Sequence, residues 1–182
     1  MTPDFTKAVN YLLANEGGRY ENPATGEISN WGISLQWLKT IDPEDTADTV
    51  RTLSRDAAED LYKKYWLEAP KLNLIPNDNI ATKMLDICVN CGAQTGVKLL
   101  QNVLNQPLEE HEEHITCDGL IGPATIAAIK TELTFPNGEF SLLAALVSEL
   151  EDHYRAIAEA KPELQDQLAG WLKRAERLPS DA

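Results

Sequence analysis

Glu16 closes an apolar stretch and stands directly before Gly17 and Gly18 in "LLANEGGRYENP", a combination that could do acid chemistry. Phe5, Ala8, Val9, Leu12 and Leu13 recur at helical spacing after Thr2 and Pro3, a cap and a first-turn residue, so the pattern predicts a helix ending near Asn15. A carboxylate there meets the unpaired carbonyls of the helix end, at a cost of about 0.3–1 kcal/mol. The same field stabilises the protonated acid, and shelter against Leu13, Tyr20 or Trp31 pushes its pKa the same way. An acid that keeps its proton near neutral pH is what protonates a leaving glycosidic oxygen. Gly17 and Gly18 can take the left-handed conformation that stops a helix, and they leave room for a sugar beside the acid.

The neighbouring stretch fits the same chemistry. "SNWGIS", residues 29–34, brings Asn30, Trp31 and Gly32 a short loop away, and a sugar cleft wants aromatic faces and amide donors. Trp37 reads as an ordinary core residue. Glu21 and Glu27 are the nearest further acids able to orient a water, and the separation of two carboxyls decides between an inverting and a retaining route. A single-acid mechanism, with water held by amides and hydroxyls, is the other reading.

The elements that must position these residues are mostly helical. "RYENPATGEISN" is loop-like or carries a short hairpin, with turn residues Asn22, Pro23 and Gly26. "WGISLQWLKTI" and "SRDAAEDLYKKYWLE" read as helices, the second capped by Ser54 with Ala57, Ala58, Leu61, Tyr62 and Tyr65 on one face. "NDNIATKMLDICVNCG" reads as a largely buried helix ending at Gly92, and "AQTGVKLLQNVLNQP" as another closed by Pro107. The polar run "LEEHEEHIT" reads as an exposed loop. "CDGLIGPATIAAIKTEL" places a turn at Asp118 and Gly119 before a helix opened by Pro123. "FSLLAALVSELEDHYRAIAEA" is the longest helical pattern, and "PELQDQLAGWLKRAERL" closes the chain with Pro162 in its first turn. The expected class is mainly α, with a short hairpin or loop near Glu16. The expected division is 1–94 and 95–182, the second helical part packed on the first as one compact unit.

Composition narrows the partners. At 182 residues and 43% hydrophobic the chain can build its own core, while a net charge of −13 argues against nucleic acid as a partner. No apolar run approaches the roughly 20 residues that span a bilayer, so no membrane insertion is expected. "MTPDFTKAVN" has neither a basic region nor an apolar core, which sets the expectation of cytoplasmic synthesis. Cys88, Cys91 and Cys117 are an odd set that suits a reducing place of synthesis. With His111 and His114 they suggest a zinc site, but the spacings match no common arrangement and the first pair lies in an apolar helix pattern. No metal and no cofactor is expected.

"EGGRYENP", "SNWGIS", "LYKKYW", "DICVNCG", "LLQNVLN", "DGLIGPAT" and "GWLKR" occur in the order seen in glycoside hydrolase family 108. The chain resembles these N-acetylmuramidases, also labelled secretion activator proteins, over nearly its whole length. The resemblance implies a lysozyme-like part and a later peptidoglycan-binding part. It implies that Glu16 is the catalytic acid for the β-1,4 link between N-acetylmuramic acid and N-acetylglucosamine. It also implies a glycan cleft touched by Gly17, Gly18, Tyr20, Asn30, Trp31, Gly32, Asp86 and Asn90, with Asp86 structural before cleft-lining. Ser29 replaces a threonine of the family's pattern, and "ATGEIS" is a residue shorter and lacks an aspartate that many members carry before Asn30. Peptidoglycan strands are then the expected partner, reached through a phage holin or a dedicated export route, and the protein is expected to be a monomer. The second function class is a non-catalytic peptidoglycan-binding or secretion and assembly protein that keeps the lysozyme-like shape.

Overall fold

In the computed structural model, residues 5–16, 18–106 and 114–179 are described, with side chains for 6–13, 18–106 and 114–179. Helix α1, Phe5–Glu16, leads into a three-stranded antiparallel sheet of β1 Tyr20–Asn22, β2 Glu27–Asn30 and β3 Ile33–Ser34, in that spatial order. Short helices follow: α2 Leu35–Leu38, α3 Ala47–Thr52 and α4 Arg55–Tyr62, the last running on as a π-helical segment, Lys63–Glu68. Then come α5 Asp78–Cys91, α6 Ala93–Asn105, α7 Pro123–Glu132, α8 Gly138–Ala160 and α9 Leu168–Ala175.

Helix α5 is the centre. Nine consecutive residues, Ile80–Cys88, are buried, so it has no solvent face along that length. Asn77 starts it by accepting from the Ile80 amide, and Gly92, at φ 84°, ends it and turns the chain into α6. Helices α1, α6 and α8 pack around it, with Ala8 and Leu12, then Val97, Leu100 and Val103, then Leu142, Leu146 and Leu150 in one continuous core.

Two buried charges in α5 tie the end of the chain to its beginning. Lys83 Nζ donates to the carbonyls of Ala175 (2.7 Å) and Arg177 (2.8 Å), at and just past the end of α9. Tyr11 Oη of α1 donates to the same Arg177 carbonyl at 2.7 Å. Asp86, one turn along α5, pairs with Arg174 of α9 at 2.9 Å.

Several boundaries differ from those the sequence predicts. "WGISLQWLKTI" is not one helix: Trp31 and Gly32 turn the chain at positive φ, Ile33–Ser34 pairs with β2, and only Leu35–Leu38 is helical, after Ser34 caps it. The last predicted helix is broken. Pro162–Gln167 is 3₁₀ and α9 begins at Leu168, because "PELQDQ" has no buried residue to hold an α-helical turn against the core. Helix α3 is not anticipated by periodicity; one buried valine, Val50, and a Thr46–Thr49 capping box define it. The hairpin near Glu16 gains a third strand. Gly18 does not adopt the positive φ expected of a helix stop, and Gly17 lies outside the described residues. Most of the polar run and Pro107 also lie outside them, while His114 is exposed in irregular backbone.

Burial pushes the Lys83 ammonium down to about 8 from its ordinary 10.5. The unfolded chain therefore binds more protons between those values, and stability from this site rises as pH climbs through that window. Chemical denaturation of wild type and Lys83→Met from pH 7.5 to 10.5 should show the unfolding free energy of wild type gaining on the variant's across the interval; a constant gap refutes the assignment.

Candidate active site

The end of α1 can be located from hydrogen bonds lower down the helix. Lys7 Nζ donates to Asn79 Oδ1 at 3.0 Å, and one turn on Tyr11 and Lys83 share the Arg177 carbonyl, so α1 and α5 run parallel with residues 7 and 11 level with 79 and 83. Both contacts step forward together along α1 and α5, so the two helices run toward the same end of the bundle. The C-terminal ends of α1 and α5, and hence Glu16 and Asn90, lie at one end of the bundle. Glu16 is the last residue of α1; its side chain lies outside the described ones. A Cβ built on Gly18 would meet nothing within 4 Å, so the chain at Gly18 leaves room beside its backbone.

The sheet follows at once, and one tight turn shapes it. Asn30 pairs with Ile33, which leaves Trp31 (φ 55°) and Gly32 (φ 75°) as the two central residues of the β2–β3 turn, both with the positive φ of a type I′ turn. Gly32 adopts this freely; a tryptophan does not, at a cost of about 1–2 kcal/mol. Four hydrogen bonds oppose that cost. Trp31 Nε1 donates to the Leu53 carbonyl at 3.0 Å, and the Trp31 carbonyl accepts from Tyr62 Oη at 2.8 Å. Asn30 Nδ2 spans the Val50 and Leu53 carbonyls at 3.1 and 3.2 Å. Asn30 and Trp31 thus clip the sheet onto the α3–α4 junction, which commits the asparagine amide and the indole N–H to backbone.

The two further acids face opposite ways. Tyr20 pairs with Ser29 and Ser29 with Ser34, while Glu21 pairs with Ile28 and Asn22 with Glu27. Opposed residues share a face and successive ones alternate, so Tyr20, Asn22, Glu27, Ser29 and Ser34 form the outer face. Ile28 and Ile33 are buried on the inner face, where Glu21 also lies. Glu21 meets the Arg51 guanidinium, which also holds Asp48 at 2.7 Å, and this hydrogen bond lowers the Glu21 pKa. Glu27 instead borders an open concavity of about 490 Å³ with Ser34, Gln36 and Lys39. Tyr20 is exposed, its ring free to meet a ligand.

Asp86 is fully buried against Arg174, and Asn90 is exposed at the end of α5, accepting from Tyr154 Oη. The cysteines are free thiols in separate surroundings. Cys88 is buried beside the Ala93 carbonyl (3.8 Å), Cys91 lies beside Tyr154 Oη (3.8 Å), and exposed Cys117 receives the Asn105 amide (3.2 Å). Burial pushes the Cys88 thiol up, away from the thiolate that a metal requires. Among the described residues no group of three His, Cys, Asp or Glu side chains is placed to hold a metal; His111 lies outside them. Trp37, expected in the core, packs against it, with the Trp66 ring 4.2 Å away. Sequence reasoning missed Arg51, Tyr62 and Tyr154 as positioning residues, since each acts on a partner more than 25 residues away and periodicity carries no trace of that.

The clip can be tested by Asn30→Ala, which removes the amide donor that the Val50 and Leu53 carbonyls share. A loss of about 1–3 kcal/mol in unfolding free energy is expected by urea titration, whereas an unchanged midpoint would show that the amide does not hold the sheet.

Residues 9–92 match the family model "Glycosyl hydrolase 108" and residues 95–176 match "Predicted Peptidoglycan domain", in that order along the chain. The fold is similar to the structure of Brucella abortus SagA, with a TM-score of 0.75 at 23% identity over 97% of this chain and 92% of that one. No curated protein matches. Among the described residues no helix is long and apolar enough to cross a membrane. Similar in fold to that structure, the chain carries a first segment similar to the glycosyl hydrolase 108 family and, after it, a second similar to the predicted peptidoglycan domain.

Proposed function

We propose that the protein is an N-acetylmuramidase that cleaves the β-1,4 link between N-acetylmuramic acid and N-acetylglucosamine, acting on the cell wall in the manner of a prophage endolysin. The observation that carries this reading is the coincidence of the glycosyl hydrolase match, residues 9–92, with a helix that ends on Glu16 and a sheet that follows it immediately. Glu16 protonates the leaving oxygen; its position at a helix C-terminus favours the protonated acid at neutral pH. Gly17 and Gly18 leave room for the sugar, and Tyr20 supplies an exposed aromatic face. Asn30, Trp31 and Gly32 set the cleft wall by fixing the β2–β3 turn. Asp86 and Asn90 support the opposite side from α5.

The sheet geometry supports Glu27 rather than Glu21 as the carboxylate that orients water. Glu27 lies on the open face with Ser29 and Tyr20, whereas Glu21 is occupied by Arg51 on the packed face. The ion pair of Glu21 is partly exposed and of little worth to stability, so its loss should be tolerated. The second reading, a non-catalytic wall-binding protein of the same shape, draws on the shortened loop before Asn30 and on the charge of −13, which repels a wall bearing carboxylates.

Release of reducing ends from peptidoglycan should be abolished in Glu16→Gln, with rates down by at least about a thousandfold if the acid and its protonation are both required. Equal rates in the two proteins remove Glu16 as the acid; intact wall binding with no turnover by either establishes the second reading. In the same assay Glu27→Gln should cost about a hundredfold and Glu21→Gln less than about threefold. The reverse order would place the water on the inner face of the sheet.

A further inference from the structure

A concavity of about 720 Å³ opens at the C-terminal end of α5, lined by Asn90, Gly170, Trp171, Lys173, Arg174 and Arg177. Its charge runs against that of the chain. Acids outnumber Lys and Arg by 29 to 16, yet three cations meet here and no acid stands among these six lining residues. The walls are fixed from behind. Asp86 orients the Arg174 guanidinium at 2.9 Å, and Lys83 and Tyr11 pin the backbone of Arg177 through its carbonyl. The Trp171 ring lies against Tyr154, with centroids 5.5 Å apart and planes 32° from parallel, and Tyr154 in turn donates to Asn90. A Cβ built on Gly170 would meet nothing within 4 Å, so the mouth is open.

Two guanidinium groups, an ammonium and an amide around a tryptophan face are a recognition set for a carboxylate attached to an apolar or sugar body. Asn90 lies in the last turn of α5, which runs toward the same end of the bundle as α1, so the concavity opens at the same end of the bundle as the proposed acid. We propose that this concavity is a subsite for a carboxylate of the peptidoglycan strand, borne either by the lactyl group of muramic acid or by its peptide stem. The inference rests on the reading that the glycan strand is the ligand. It gives an acidic protein a local means of gripping an anionic polymer: the overall charge opposes approach, and the cluster sets register and orientation.

The full chain is titrated calorimetrically with three probes: chitotetraose, which has no carboxylate; muroglycan stripped of stems by an amidase, which keeps the lactyl carboxylate; and the same glycan with stems intact. Wild type should bind at least one carboxylate-bearing glycan about tenfold more tightly than chitotetraose at low salt, with the advantage shrinking as salt is raised. The doubly substituted Lys173→Gln, Arg177→Gln protein should lose that advantage while still binding chitotetraose. Both side chains are exposed, so folding should survive; the milder Lys173→Gln alone should lose part of the advantage. An advantage shared by both carboxylate-bearing glycans assigns the lactyl group, and one confined to the third probe assigns the stem. Equal affinity of wild type for all three, no binding to any, or a preference that survives both substitutions overturns the proposal. Reducing-end release, measured separately, judges the hydrolase reading: turnover without carboxylate preference sinks the subsite alone, and preference without turnover sinks catalysis alone.

Discussion

A central helix with no solvent face cannot leave a charge unpartnered, and α5 carries two, Lys83 and Asp86, within its nine buried residues. An uncompensated buried ion costs several kcal/mol, so the fold has to bring partners to them. It does so with α9: Arg174 reaches Asp86, and the carbonyls of Ala175 and Arg177, at and just past the end of α9, accept from Lys83. One set of contacts thus satisfies two buried charges together. Tyr11 joins it from α1. The segment matched to the peptidoglycan domain is thereby held to the segment matched to the glycosyl hydrolase by directional bonds as well as by apolar packing, which fixes where the two halves stand.

That fixed register carries through to the candidate site. With α1 and α5 parallel, Glu16 and Asn90 come to the same end of the bundle, where the sheet begins and where α9 presents its cations. The sheet itself is too small to be stable alone. It is held by burial of Ile28 and Ile33 and by the Asn30 and Trp31 bonds to the α3–α4 junction. A tryptophan at positive φ persists there because its indole and its carbonyl are both bonded, which is how surrounding structure sustains a strained residue beside a site.

The strongly acidic composition would be a liability for a protein that works on a carboxylate-bearing wall, if the charge were spread evenly. It is not. Glu21 and Asp48 are drawn to Arg51, and Glu151 and Asp152 to Arg155, in local clusters. At the end of α5 three cations line one opening, Arg174 among them held from behind by Asp86, although the chain as a whole is acidic. Net charge governs approach at long range and is screened beyond about 8–10 Å; contact is governed by the side chains that line the opening.

From the sequence alone came the helical class, the long α8, the buried α5 with its glycine stop, the Pro123 start of α7 and the Ser54 cap of α4, because each follows from spacing and capping within a few residues. The sequence also singled out Glu16, since an acid ahead of two glycines at the end of an apolar helix is a local anomaly. What it could not settle was anything set by partners distant in the chain. Periodicity read residues 31–41 as helix because it could not register the clip to Leu53 and Tyr62 that turns Trp31 and Gly32 the other way. It likewise ran the last helix straight through "PELQDQ", which has nothing buried to hold it. Glu21 and Glu27 were equal candidates until strand pairing placed them on opposite faces and Arg51 took one of them. Asp86 and Arg174 are 88 residues apart, and only folding makes them one interaction. Short-range spacing decides which helices form; tertiary packing decides which charges meet, because burial compels a partner and the chain can supply it from any distance.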